Sequence, residues 1–196
     1  ASLLTYVKDN LKLYLDFKST RSDELKFPSE GSTSFVTASS QYINIGVQSN
    51  LQFASGTYAV WIYPTGNGVI YSRYVNPSYD VRLEVTGTAI KCAFNGSFHV
   101  DTGSSKVTLN AWNYVAITFN SSSVDTYVNG VSVDTDSGIT VNTNAVANKI
   151  GYGDFGTYFG GKMANLGAWS RVLSPEEVES VMNKSYSQLG SVEKTS

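Results

Sequence analysis

The sequence predicts an all-β fold: a two-sheet antiparallel sandwich with one short helix at its C-terminal end. Apolar and polar residues alternate over many short runs, the period of half-buried strands. Turn residues separate these runs, and Asn129-Gly130 stands between two alternating stretches, the strongest short-range hairpin signal. A single helix start is written near the end. Ser174 suits the N-cap, Pro175 the first helical position, and Glu177 closes a capping box, with Leu173 and Val178 at the two staple positions.

Taken in order, Leu3, Leu4 and Val7 have helical spacing and predict a short lead-in. Leu11-Lys-Leu-Tyr-Leu-Asp-Phe17 alternates as a first strand, and a polar segment runs from Ser19 to Glu24. Thr33 to Phe35 and Tyr42 to Ile45 are the next strands. Tyr58-Ala-Val-Trp-Ile-Tyr63 is a strong one that Pro64 ends. Val69 to Tyr74, Val81 to Val85, Ile90 to Phe94, Ala111 to Phe119, Val124 to Val128 and Val131 to Val133 continue at short intervals. A glycine-rich loop from Ile150 then leads into a last strand before the helix. About a dozen short strands and one helix make a sandwich. The domain runs from residue 11 to 189, with residues 1–10 as lead-in and 190–196 as a polar tail.

The chain has 196 residues, enough for one sizeable core. Only 15% of them are charged, against roughly 25% in average domains. Ser, Thr, Asn, Gly, 13 Tyr and 9 Phe take their place, a surface suited to neutral polar ligands such as sugars. The net charge of −2 and the lack of a basic cluster deny nucleic acid its electrostatic footprint. No apolar run approaches the roughly 20 residues of a membrane span. Ala1-Ser-Leu-Leu-Thr-Tyr-Val-Lys8 has no basic start and no long apolar middle, so no leader is legible. Cys92 is the one cysteine, and its strand position reads as a buried small hydrophobe.

Several segments resemble the laminin-G-like family of the concanavalin A-like lectin/glucanase group. They are Leu13-Tyr-Leu-Asp-Phe17, Phe35 with Gln41-Tyr-Ile-Asn-Ile45, Tyr58-Ala-Val-Trp-Ile-Tyr-Pro64, Trp112-Asn-Tyr-Val-Ala-Ile-Thr118, Tyr127-Val-Asn-Gly-Val131, and the closing Gly-rich loop, strand and Ser174-Pro-Glu-Glu177 corner. They occur in the family's order over about residues 11 to 186. The resemblance implies a jelly-roll sandwich. Trp61 and Trp112 are expected in its core, and Trp169 near the terminal helix.

Catalysis and metal binding leave weak traces. Family glycosidases set an acid and a nucleophile about 5 Å apart. Glu84 stands within a clear mid-chain strand, and its same-face neighbours are Arg82 and Thr86, so the paired-carboxylate pattern is absent there. Glu176, Glu177 and Glu179 fit helix capping and solvation. His99, the one histidine, reads as a surface or hydrogen-bonded strand residue. The resemblance also implies calcium at the sandwich edge. Two expected acidic positions hold Ser39-Ser-Gln41 and Ala164-Asn165, so the expectation is no cofactor and no metal, with Asp154 and Asp134 or Asp136 the candidate ligands that remain for calcium. Asn95-Gly-Ser97, Asn120-Ser-Ser122 and Asn183-Lys-Ser185 match the glycosylation triplet, as chance allows in a chain rich in Asn and Ser.

Sugar binding asks for rings beside hydrogen-bonding groups in loops. Two segments supply them: 72–80, with Arg73, Tyr74, Asn76 and Tyr79, and 152–158, with Asp154, Phe155 and Tyr158. The expectation is a non-catalytic lectin-like module, extracellular or on a virion surface, whose partner is a glycan or glycosylated surface. The rival reading is a capsid or tail component without sugar binding, partnered by other virion proteins or by itself. A polysaccharide-active enzyme is the third reading.

Overall fold

A computed structural model describes residues 11–15, 31–75, 78–154, 156–185 and 188–189. The expected lead-in, the polar segment from Ser19 to Glu24 and the tail lie outside the described residues. Among those described, the strands are β1 (Leu11–Leu15), β2 (Thr33–Phe35), β3 (Ile43–Val47), β4 (Gly56–Pro64), β5 (Gly68–Val75), β6 (Ser78–Thr86) and β7 (Ala89–Phe94). There follow β8 (Ser97–Asp101), β9 (Asn113–Phe119), β10 (Ser123–Val128), β11 (Val131–Ser137), β12 (Ala147–Ile150), β13 (Gly161–Trp169) and the helix α1 (Pro175–Met182).

The strands form two sheets, and every pairing between them is antiparallel. One sheet has the order β1-β13-β4-β9-β10-β11, with β2 also on β13; the other runs β3-β12-β5-β6-β7-β8. Asn129 and Gly130 both have positive φ (52° and 82°), the type I′ geometry that the right-handed strand twist favours. They join β10 to β11 with Val128 opposite Val131.

Alternation sorts the side chains. Tyr58, Val60, Ile62, Val115, Ile117 and Phe119 face inward from the first sheet, and meet Leu83, Val85, Ile90, Cys92 and Phe94 from the second. Burial pushes the Cys92 thiol well above its ordinary pKa, which leaves it an inert core group.

The outer face of the first sheet is covered as well. Ala59, Tyr114, Ala116, Tyr127 and Trp169 pack beneath Leu173 and the Val178 and Val181 side chains of α1. The Ser174 capping box is fully formed, and Arg171 holds the Glu177 carboxylate through two 2.7 Å bonds. Covered on both sides, β9 is buried along its whole length. Among the described residues no helix covers the outer face of the second sheet, which is open toward its β8 edge, where Phe98 is 55% exposed, while Ser72, Glu84 and Ala93 on the same face are buried.

Two expected core tryptophans stand elsewhere. Trp61 is half-buried on the outer face, where its indole N–H donates to the Met182 carbonyl (3.1 Å). Trp112 is half-buried just before β9, its ring 5.7 Å from that of Tyr63. Trp169, 0% exposed, fills the space beneath α1. Period-two spacing identifies two faces of a strand without saying which is inner, and a sheet covered on both sides carries large apolar residues on each.

Candidate functional site on the open sheet

The two ring-bearing segments meet on the open sheet. The Tyr79 hydroxyl donates to the Gly153 carbonyl (2.9 Å), and the Ser72 hydroxyl to the Tyr152 carbonyl (2.6 Å). Gly153 lies so near Val69 that a Cβ there would stand 2.3 Å from a Val69 methyl carbon. Only glycine permits that approach. The loop is closed on itself by Phe159 N–H to Gly151 carbonyl (2.9 Å) and Gly153 N–H to Thr157 carbonyl (3.0 Å). It forms a wall along the sheet.

Beside the wall, register builds the floor. Ser72, Arg82, Ala93 and Phe98 lie in one cross-strand row, with Glu84, Lys91 and Asp101 in the next. Arg82 donates to the Tyr79 hydroxyl (2.8 Å), pairs with Glu84, and lies 4.8 Å from the Tyr79 ring centre and 6.0 Å from that of Phe98. Thr86 donates to Glu84 (3.0 Å), so the two same-face neighbours named from the sequence hold this carboxylate. Lys91 pairs with Asp101 at 2.9 Å. On the wall, Lys149 donates to Asp154 (2.8 Å) and stands 5.0 Å from the Tyr152 ring. Tyr152 lies 4.9 Å from Tyr42 and 4.7 Å from Tyr158, ring to ring.

These contacts set the protonation states. Burial raises the Tyr79 pKa, against the opposing effect of Arg82, so the phenol remains a donor to Gly153. The Lys91 hydrogen bond, with help from the Gly103 N–H, lowers the Asp101 pKa and keeps that carboxyl ionised.

Of the residues singled out from sequence, Tyr74, Tyr79, Asp154 and Tyr158 reach this neighbourhood, with the Tyr74 and Tyr79 rings 4.9 Å apart. Asn76 and Phe155 lie outside the described residues. Arg73 does not reach the surface. It is 0% exposed, donates to the Leu51 and Asn142 carbonyls, and lies 4.0 Å from the buried Asp80. Strand β5 extends through it, opposite Val81, and only after a bulge does Tyr74 follow. Sequence reasoning did not single out Arg82, Phe98, Lys91, Asp101 or Lys149 as candidate binding residues. A usable signal was the Asn95-Gly96 turn, which folds β8 back on β7 and sets Phe98 opposite Ala93.

Each candidate calcium ligand is engaged by another group of the protein. Lys149 engages Asp154, Asp136 bonds His99 Nδ1 (3.2 Å), and Asp134 accepts from the Asp101 N–H (3.2 Å). Calcium favours several anionic oxygens on one point. Among the described residues no three His, Cys, Asp or Glu side chains converge that way. The His99 contact also matches the hydrogen-bonded strand histidine read from sequence.

A double-layer antiparallel sandwich with one face under a helix is the architecture of a jelly-roll domain. The chain belongs to the concanavalin A-like lectin/glucanases superfamily, whose laminin-G-type family model matches residues 37–179. No curated protein matches it in sequence. Among solved structures, the binding domain of Paraclostridial Mosquitocidal Protein 1 superposes with a TM-score of 0.70 at 15% identity. The match covers 90% of this chain and 52% of that one, so the chain spans about half of the toxin domain. The CBM40 of Ruminococcus gnavus IT-sialidase, solved with α2,3 sialyllactose, gives 0.58 at 15% identity over 72% of this chain and 93% of its own. The SAP-like pentraxin of Limulus polyphemus gives 0.56 at 17% identity, covering 90% and 82%. Such identities establish the fold alone. Among the described residues no helix is long and apolar enough to cross a membrane.

Proposed function

We propose that this chain is a non-catalytic, lectin-like module that binds a glycan or glycosylated surface on its open sheet. One observation carries the reading: the exposed Phe98 ring stands beside Arg82, which is itself stacked on Tyr79 and paired with Glu84. An aromatic face for the apolar side of a sugar thus adjoins fixed donors and acceptors for its hydroxyls. Tyr74, Asp154, Tyr158 and Lys149 extend the surface along the wall. The bound sialyllactose of the CBM40 neighbour supports this reading by analogy of fold.

Catalysis is not proposed. A retaining glycosidase needs a second carboxylate about 5 Å from the first. Glu84 instead has Arg82 and Thr86 on its oxygens, which hold it as a structural anion. Glycans of this kind are met outside cells, and display on a particle, a virion included, would raise avidity through effective concentration.

A glycan array probed with the wild-type protein and Phe98→Ala tests the reading. Retention of a defined glycan set by the wild type and its loss by the variant, at unchanged melting temperature, supports it. Failure to retain any glycan when multimerised, or equal retention by the variant, refutes it.

A further inference from the structure

We propose that the open face selects uncharged glycans and rejects sialylated, sulfated or uronic ones, an inference that rests on the glycan-binding reading above. Arg82, Lys91 and Lys149 are the cations that register and contact place on this floor and wall, and each already faces a carboxylate. Arg82 pairs with Glu84, Lys91 with Asp101 at 2.9 Å, and Lys149 with Asp154 at 2.8 Å. Further negative charge stands at the β8 edge, where Asp134 and Asp136 of β11 reach the Asp101 N–H and His99.

An incoming carboxylate or sulfate meets cations whose charge is already offset by the carboxylate beside each, so it finds no uncompensated positive charge to repay its own desolvation. The carboxylates of Glu84, Asp101 and Asp154 would then face a like charge across the contact on a partly desolvated surface. A hydroxyl meets no such obstacle. It donates to a spare lone pair of an ion-paired carboxylate and accepts from a spare N–H of the guanidinium, with no charge displaced. Arg82 is further occupied on its faces and edges, by the Tyr79 ring and hydroxyl and by Phe98.

The test is a titration of the wild-type protein against neutral oligosaccharides, each matched with its sialylated or sulfated derivative. The expected result is binding of neutral members, with the anionic derivatives at least about tenfold weaker. Glu84→Gln releases the charge of Arg82, and Asp154→Asn, separately, that of Lys149. Each is expected to narrow the gap between matched glycans, with circular dichroism confirming the fold. Wild-type binding that is equal or tighter for the anionic forms overturns the inference while leaving the glycan-binding reading intact. So does a gap that neither variant changes. Binding of neither class overturns both.

Discussion

The hydroxyl of Tyr79 donates to the carbonyl of Gly153 across 2.9 Å, tying together two segments 74 residues apart in the chain. Each segment alone is a turn with aromatic residues. Tied, they put a wall against the open sheet, and the same hydroxyl accepts from Arg82 and fixes its position on the floor.

Tyr79→Phe keeps the ring and removes both bonds. The wall should loosen, with faster amide exchange at Gly153 and Thr157 in hydrogen–deuterium experiments. Global stability should fall by only about 1 kcal/mol, the net worth of a typical hydrogen bond. Unchanged exchange in this loop would mean that its remaining contacts, the Ser72–Tyr152 hydrogen bond, the bonds within the loop and the Gly153–Val69 packing, hold it without Tyr79.

Trp169→Ala should cost about 3–5 kcal/mol in urea denaturation, because a large ring is removed from a fully buried site under α1. Trp112→Ala, at a half-buried site, should cost less than half of that. Equal losses would contradict the burial order.

Chelation should leave the protein unchanged. With Asp154 held by Lys149 and Asp136 by His99, added EDTA is expected to alter neither melting temperature nor glycan retention. A fall in either on chelation, restored by calcium, would contradict this.

Acid should weaken the corner before α1. Burial raises the Glu177 pKa, but the Arg171 hydrogen bonds and the Ser174 N–H more than offset it, so the net shift is below its ordinary 4.5. A carboxylate with a lowered folded pKa stabilises the fold above its unfolded value, and that contribution is lost as pH falls through the folded one. Glu177→Gln should therefore lower the melting temperature at neutral pH and lose its disadvantage as the pH falls below 4.5 and through the lowered folded value. A difference that stays constant with pH would sink the assignment.

Much of the fold was legible because turn chemistry and alternation are local. Asn129-Gly130 and Ser174-Pro-Glu-Glu177 each specify a backbone geometry within a few residues, and both form as written. Trp61 was misplaced because the alternation of β4 is the same whether a face meets the other sheet or meets α1. That distinction depends on where a segment more than a hundred residues later packs.

The site was legible in part for the same reason. Tyr79, Asp154 and Tyr158 stood out by composition of their loops. Arg73 shared that composition, yet it continues the inward face of Tyr71 on β5, opposite Val81, and its guanidinium goes to carbonyls of distant segments. Arg82 and Phe98 belong to different strands, and only the β6–β7–β8 register brings them together.

Backbone amide shifts recorded while a retained glycan is titrated into the labelled protein test the central claim most directly. Binding on the open sheet predicts that the largest changes fall at Tyr79, Arg82, Glu84, Ala93, Phe98 and Gly153. Changes concentrated instead beneath α1, or around the pocket of about 270 Å³ lined by Phe35, Tyr63, Thr65 and Gly160, would contradict it.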